Sequence, residues 1–445
     1  MTATLPVAAS RPAAHRAPRP GRTRPRRYAL DTPAALRALL AGLVLLSLAW
    51  GAFGGWVATQ HSSAADSLVA VNERLSVDAR QMYQSIADAD ATITATFLAS
   101  SQPQLAPLDR YQGDLAVASG DLAGLQAAGG SQATRGALAR LSAGLVAYNG
   151  YVNEAKTEYA MGYSLTGGSF LQVASEEAHL VLLPAANTVF TQENAALNAA
   201  SGQATELPTV IAAIVLALIT VFVLYRAQHW LTRRTHRLFS PGLVLASVLL
   251  AVSTIWLAAG FLGARSDLDG GIAHGSGPAQ NLALASIGAQ QIRGDAVLNV
   301  ISRSGNASFQ DDFTSMSTRL RAYLGDAATA QEAGGKGTVS VAAARRDATT
   351  WFATNTQVYR LGSASDYAAE RNLVVGAGTG NTTAGYSALE GDVSQAIVAD
   401  QAVFDAAAAA GSNTLGPLAG VVIAASLLMA VGCAWAVSRR LAEYR

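Results

Sequence analysis

The sequence predicts an all-α membrane protein with four transmembrane helices and two extracytoplasmic four-helix-bundle-like domains, arranged as an internal duplication. Three observations predict it. Four stretches, 38–58, 207–225, 242–264 and 415–437, carry no charged residue and are close to the ~20 apolar residues that cross a bilayer. The segments between the first and second and between the third and fourth are nearly equal, 59–206 and 265–414. Within both, apolar residues recur every three or four positions, the helical period.

Composition agrees. Hydrophobic residues are 51% of the 445 and charged residues only 14%, against about 25% charged in soluble domains. Cys433 is the single cysteine, so no disulfide closes within the chain and no cysteine-based metal site or redox pair is available.

Short basic flanks set the expected orientation. Residues 1–37 form a basic, Pro- and Ala-rich tail without apolar periodicity, expected to be disordered. Its arginines run from Arg11 to Arg37 against one acid, Asp31. The loop 226–241 holds Arg226, Arg233, Arg234 and Arg237 with no acid, and the tail 438–445 holds Arg439, Arg440 and Arg445 against Glu443. The positive-inside rule makes these three segments, and both termini, cytoplasmic. Residues 59–206, with 14 acids and 6 bases, and 265–414, with 14 acids and 10 bases, then lie outside. A cleaved signal peptide would also have a basic start. The first apolar run is longer than a signal core and no small-x-small site follows it, so it is read as a span. Trp56 and Trp435 sit near span ends, where indole rings favour the interface; Trp50 and Trp256 lie within spans.

The first extracytoplasmic segment reads as four helices. Leu68, Leu75, Met82 and Ala89 are seven apart, with Ala79, Ile86 and Ile93 as an alternate seam. Leu115, Leu122 and Leu125 follow, then Leu138, Leu141, Leu145, Tyr148, Val152, Ala155 and Tyr159 in an unbroken 3–4 pattern. The fourth runs from Phe170 past Pro184 toward Leu197. Gly and Pro place the breaks at 102–107, 129–131 and 167–168. The second segment predicts helices near 281–302, 309–332, 342–373 and 384–410. Its 373–375 run is the only compact β-branched stretch. Such seams suggest an antiparallel bundle. The first helix of each bundle is expected to continue from the span before it, and the last to run on into the span after it. Residues 79–85 loosely resemble 289–295, and 148–163 resemble 352–367, as a duplication would leave.

Few residues suggest chemistry. Gly376, Gly378 and Gly380 lack the strand and third-glycine spacing of a phosphate loop and read as a helix connection. His61, His179 and His274 have no i,i+4 partner for a metal and read as surface or interfacial residues. Glu176 and Glu177 read as solvated helix-face charges, with no nucleophile or oxyanion signal beside them. No catalytic, cofactor or metal site is expected. The spans hold no ionisable residue, which argues against pumps and coupled transporters. Gly51 with Gly55 and Gly416 with Gly420 fit small-xxx-small spacing and would let spans one and four pack closely. Arg233, Arg234, Arg237, Arg439 and Arg440 fit two readings: attraction to anionic lipid, or a docking surface for an acidic cytosolic partner. The cytoplasmic pieces are too short for a kinase or cyclase, so any output domain is expected on another chain.

The Arg-rich start, four spans, paired helical ectodomains and Ala-rich style resemble the GlnX family of actinobacterial membrane signalling proteins. Phe170 through Glu177, with Leu182, Leu183, Pro184, Ala185 and Ala186, is similar to a stretch of that family. The second half departs from it at Ser387 through Val393, which lacks the Leu-Leu-Pro. The resemblance implies a relay: a GlnH-like solute-binding lipoprotein of the glutamate/aspartate class outside, and a PknG-like serine/threonine kinase inside. The expected function is a non-catalytic transmembrane sensor or adaptor. The alternatives are a transport accessory or permease subunit, and a structural envelope scaffold. Expected partners are membrane lipids, the lipoprotein and the kinase, without nucleic acid; a homodimer is open.

Overall fold

The computed structural model describes residues 32–99, 105–204, 208–235, 241–302, 307–334, 339–376 and 378–441, and among these every regular element is helical. The basic tail through residue 31 and Arg237 lie outside the described residues.

In the first half, α1 (Thr32–Ser67) passes through a π-helical turn (Leu68–Glu73) into α2 (Arg74–Ala99). Then come α3 (Leu105–Ala128), α4 (Gln132–Ala160) and α5 (Ser164–Glu177). A second π turn (Ala178–Leu182) leads to α6 (Leu183–Ala204), and α7 (Pro208–Thr235) closes the half. The second half follows a similar order. α8 (Pro241–Gly271), a π turn (Ile272–Ser276) and α9 (Gly277–Ser302) form one continuous rod. α10 (Ala307–Ala333), α11 (Val339–Ser363), α12 (Tyr367–Val375) and the 60-residue α13 (Thr382–Leu441) complete it.

Among the described residues, four helices are long and apolar enough to cross a membrane: parts of α1, α7, the α8–α9 rod and α13. A hydrocarbon core of ~30 Å takes about 20 residues. The uncharged parts of the long helices are the candidate spans, and charged residues lie in their remainders. At 1.5 Å per residue α13 is about 90 Å long. It carries Pro417 inside. In the spans α13 packs between α1 and α8, and α7 lies against both α1 and α8. Trp50 is fully buried there and donates from Nε1 to Ser253 Oγ at 3.3 Å.

Away from the spans, the apolar seams fold inward as their spacing requires. Met82, Ile86 and Ile93 of α2, Leu122 and Leu125 of α3, and Leu138, Leu141, Tyr148 and Val152 of α4 are buried together. That core does not stop at the first half. It runs on through Leu282 and Ile292 of α9, Leu320 of α10, Trp351 of α11 and Leu389 of α13. α2 packs directly on α9, so the two helical regions share one interior.

Two expectations need correction. The chain does not break at 167–168. It turns at 161–163, where Gly162 takes a φ of +88° that a side chain would resist. Gly167 instead lies in α5, where a Cβ would come within 2.7 Å of the Tyr159 ring. The single helix expected over 342–373 is two. Ser365 turns at φ 61° and Asp366 caps α12 by accepting from Ala369 N at 3.2 Å. The β-branched run 373–375 is helical, with Val374 buried; packing overrides its strand preference. The break at 129–131 falls where expected, with Ser131 Oγ capping α4 through Thr134 N at 3.0 Å. Pro184 follows the second π turn. Its ring excludes a carbonyl four residues back, and the wider turn accommodates it.

Candidate functional site

The site is the seam where α2 meets α9 and α13. Apolar side chains hold these helices together, and a line of polar groups runs through the contact. Arg293 Nη1 lies 2.8 Å from Asp88 Oδ1, and both side chains are largely shielded. The same guanidinium sits 4.6 Å above the Tyr386 ring. Gln291 Nε2 donates to Tyr83 OH at 3.1 Å. Gln84 Nε2 donates to Ser286 Oγ at 2.7 Å and to Glu390 Oε1 at 2.9 Å. Ser286 Oγ lies 2.9–3.0 Å from both Glu390 oxygens. Arg80 Nη1 donates to Gln84 Oε1 at 3.1 Å. Burial raises the Glu390 carboxyl to about 7. The Ser286 hydrogen bond lowers it, the Asp88 charge raises it and Arg80 lowers it.

A second cluster adjoins the first. Asp90 of α2 accepts from Ser175 Oγ at 2.8 Å and from Tyr148 OH at 3.4 Å. His179, on the second π turn, places Nε2 3.4 Å from Asp90 Oδ2, with side-chain exposures of 16% and 5%. Burial alone pulls the imidazole down. The hydrogen bond and charge of Asp90, with Asp295 across the seam, more than offset this, and the net direction is up. The ring lies against α9 where Gly294 leaves room: a Cβ there would meet the imidazole. Asp295 is raised to about 6, by burial first, with His179 lowering it and Asp312 raising it.

Toward the spans the seam opens into a narrow cleft between Glu73, Ser76, Arg80, Asn194, Ser276 and Gln401. Its cavity of about 40 Å³ holds about three waters, at 10–15 Å³ each, and not an amino acid. Glu73 is held well above the ordinary carboxylate range by burial and by hydrogen bonding and charge from Asp405 of α13. Nearby, Gly271 and Gly275 bring α8 and its π turn onto α13. Cβ atoms there would lie 2.6 Å from Ala407 Cβ and 2.7 Å from Phe404 N.

The arrangement joins the halves by charge pairs and hydrogen bonds that depend on protonation. The expected site residues lie elsewhere. Gly51 and Gly55 face α13: a Cβ on Gly51 would strike Ser426, and one on Gly55 would come within 3.0 Å of Ile423. Gly416 is looser, where an added Cβ would lie 3.9 Å from Ser62 Oγ, and one on Gly420 would meet nothing within 4 Å. Arg233 and Arg234 lie in the last turn of α7, and Arg439 and Arg440 near the end of α13; Arg439 stacks on Trp435 at 5.2 Å. His179 is not the isolated residue its local sequence suggests, because its partner Asp90 is on another helix. His61 Nε2 lies 2.9 Å from Thr209 Oγ1, and His274 Nδ1 lies 3.0 Å from Ala330 O.

No curated protein and no solved structure matches the chain. A family model described as an actinobacterial sensor domain matches residues 64–202, from the end of α1 to the last turns of α6. That stretch contributes Asp88, Asp90 and His179 to the seam, and its likeness to a sensor domain fits a sensor role for the protein.

Proposed function

We propose that the protein is a non-catalytic transmembrane sensor. It registers an extracytoplasmic amino-acid-binding partner of the glutamate/aspartate class and relays that state to a cytosolic serine/threonine kinase. The observation that carries the reading is a shared core entered by unbroken rods. α1 with α2, α8 with α9, and α13 each run from that core into an apolar span. Any shift of α2 against α9 or α13 moves the helices that enter the membrane, as shifts of packed helices do in other switches. The sensor-domain match supports the first half as the receiving part. On this reading the halves arose by duplication, the basic flanks lie in the cytoplasm, and Arg233, Arg234, Arg237, Arg439 and Arg440 offer the kinase a cationic surface. The small cleft favours sensing through a partner protein over direct capture of an amino acid.

The test is an affinity pull-down of the tagged protein from native membranes, with and without glutamate or aspartate. The expected result is a solute-binding lipoprotein and a soluble kinase whose recovery changes with the amino acid. Recovery of envelope or transport components that ignore amino acids overturns the relay, and catalytic turnover by the purified protein overturns the non-catalytic reading.

A further inference from the structure

A groove opens between the first turns of α8 and the last turns of α13, at the opposite end of the spans from the seam. Gly242 and Gly432 make it. Their backbones touch, since a Cβ on either would meet the other's carbonyl, and no side chain fills the floor. The walls are Leu245, Leu249, Leu428, Val431 and Trp435, and the open groove between them has a volume of about 430 Å³. That lies within the ~300–1,000 Å³ of small-molecule pockets. From Leu428 to Trp435 the wall is seven residues, about 10 Å at 1.5 Å per residue. This is less than half of a ~30 Å hydrocarbon core, so the groove lies within one leaflet.

Its lining carries no charged side chain and is almost wholly apolar, so an occupant offers it hydrocarbon. The mouth is different. Arg439 stands one turn beyond Trp435 and stacks on its ring, which aims a cation at the headgroup level. The helix α8 begins at Pro241, and its first N–H groups add positive potential there. In sequence, the segments 226–240 and 438–445 that border these helix ends hold Arg226, Arg233, Arg234, Arg237, Arg439, Arg440 and Arg445 against the single acid Glu443.

We propose that this groove binds one anionic phospholipid. An acyl chain lies over Gly242 and Gly432 between the leucine walls, and the phosphate sits at Arg439. The proposal rests on the membrane-spanning reading. A zwitterionic lipid would fill the groove but gain little from the arginines. The site would let α8 and α13, the two rods that meet at the seam, respond to lipid composition.

The test is native mass spectrometry of the detergent-solubilised full chain, offered phosphatidylglycerol or phosphatidylcholine. One phosphatidylglycerol per chain is expected to stay bound after phosphatidylcholine is lost. R439Q should reduce it about five-fold, since each surface cation is worth roughly 1 kcal/mol of attraction to anionic lipid. V431W, which fills the groove, should reduce it as much. L262W, on a lipid-facing part of α8 far from the groove, should leave it unchanged. Equal retention of both lipids, or retention that ignores R439Q and V431W, overturns the proposal. So does disulfide cross-linking between copies of V431C in vesicles, which would make the groove a seam between chains. Alkaline extraction separates two failures: a protein that washes off membranes refutes the spanning reading, and one that stays yet holds no lipid refutes only the site.

Discussion

Arg293 of α9 reaches Asp88 of α2 at 2.8 Å while its guanidinium lies 4.6 Å above the Tyr386 ring of α13. One side chain therefore ties three helices together, with its carboxylate partner 205 residues away in sequence. Replacing Asp88 by Ala leaves that arginine shielded without its carboxylate. The expected loss is about 1.5–3 kcal/mol, the usual worth of a hydrogen bond to a charged group. R293K should recover only part of it, because an ammonium lacks the planar stack. Chemical denaturation of the detergent-solubilised protein measures both.

The Glu390 carboxyl stands at about 7, above its ordinary 4.5, because burial disfavours the charged form. A raised carboxyl binds its proton more tightly in the folded state. Stability from this group is therefore complete below 4.5 and falls as pH climbs toward 7. Asp295 acts in the same direction between its ordinary 3.8 and about 6. The melting temperature should fall between pH 5 and pH 8. E390Q, which keeps an acceptor for Gln84 and Ser286 without the charge, should flatten that fall and raise stability at pH 8. A steeper fall in E390Q would contradict the assignment.

His179 is raised by Asp90 and Asp295 despite its burial. Its contribution is fully present below the ordinary 6.5 and disappears as pH rises through the higher folded value. H179Q should lose stability at pH 6 and little at pH 9. G294A should act on the same group, because the added methyl meets the imidazole. The cost should be about 1–3 kcal/mol, as for overpacking. Titration of the His179 ring by NMR checks both.

The span glycines separate into tight and open positions. G51A pushes a methyl into Ser426, whereas G420A meets nothing within 4 Å. The first should cost about 1–3 kcal/mol. The second should be neutral or slightly stabilising, since alanine suits a helix better than glycine. Thermal unfolding in detergent distinguishes them, and equal effects would refute the packing of α1 on α13 through this face.

The spans were legible because a run of uncharged residues states its preference locally. The seams were legible for a similar reason: Leu138, Leu141, Tyr148 and Val152 lie on one face at helical spacing, and that face is buried. Boundaries were harder. Gly162 and Gly167 look alike in sequence, yet one turns the chain and the other admits the Tyr159 ring. The polar seam was not legible at all. Asp88 and Arg293 read singly as helix-surface charges, and His179 has no i,i+4 partner for a metal. The packing of α2 against α9 brings Asp88 to Arg293, and the packing of the π turn Ala178–Leu182 against α2 brings Asp90 to His179. The spacing of Gly271 and Gly275 was visible, but it lies just outside the apolar run where such pairs are sought.

The π turns at Leu68–Glu73 and Ile272–Ser276 have a rotational consequence. A π turn closes its hydrogen bonds to i+5 and so holds one residue more than an α turn. One residue of α-helix is about 100° of azimuth and 1.5 Å of rise. Each rod therefore enters the shared core with its faces set back by that angle from the phase its span alone would impose. The seam on α2 and the buried stripe of α1 belong to different phases of one helix, and the π turn is the gear between them. Straightening either turn into plain α-helix without removing a residue would swing Asp88 or Arg293 about 100° out of register with its partner, whereas deleting the extra residue along with the turn would keep the register.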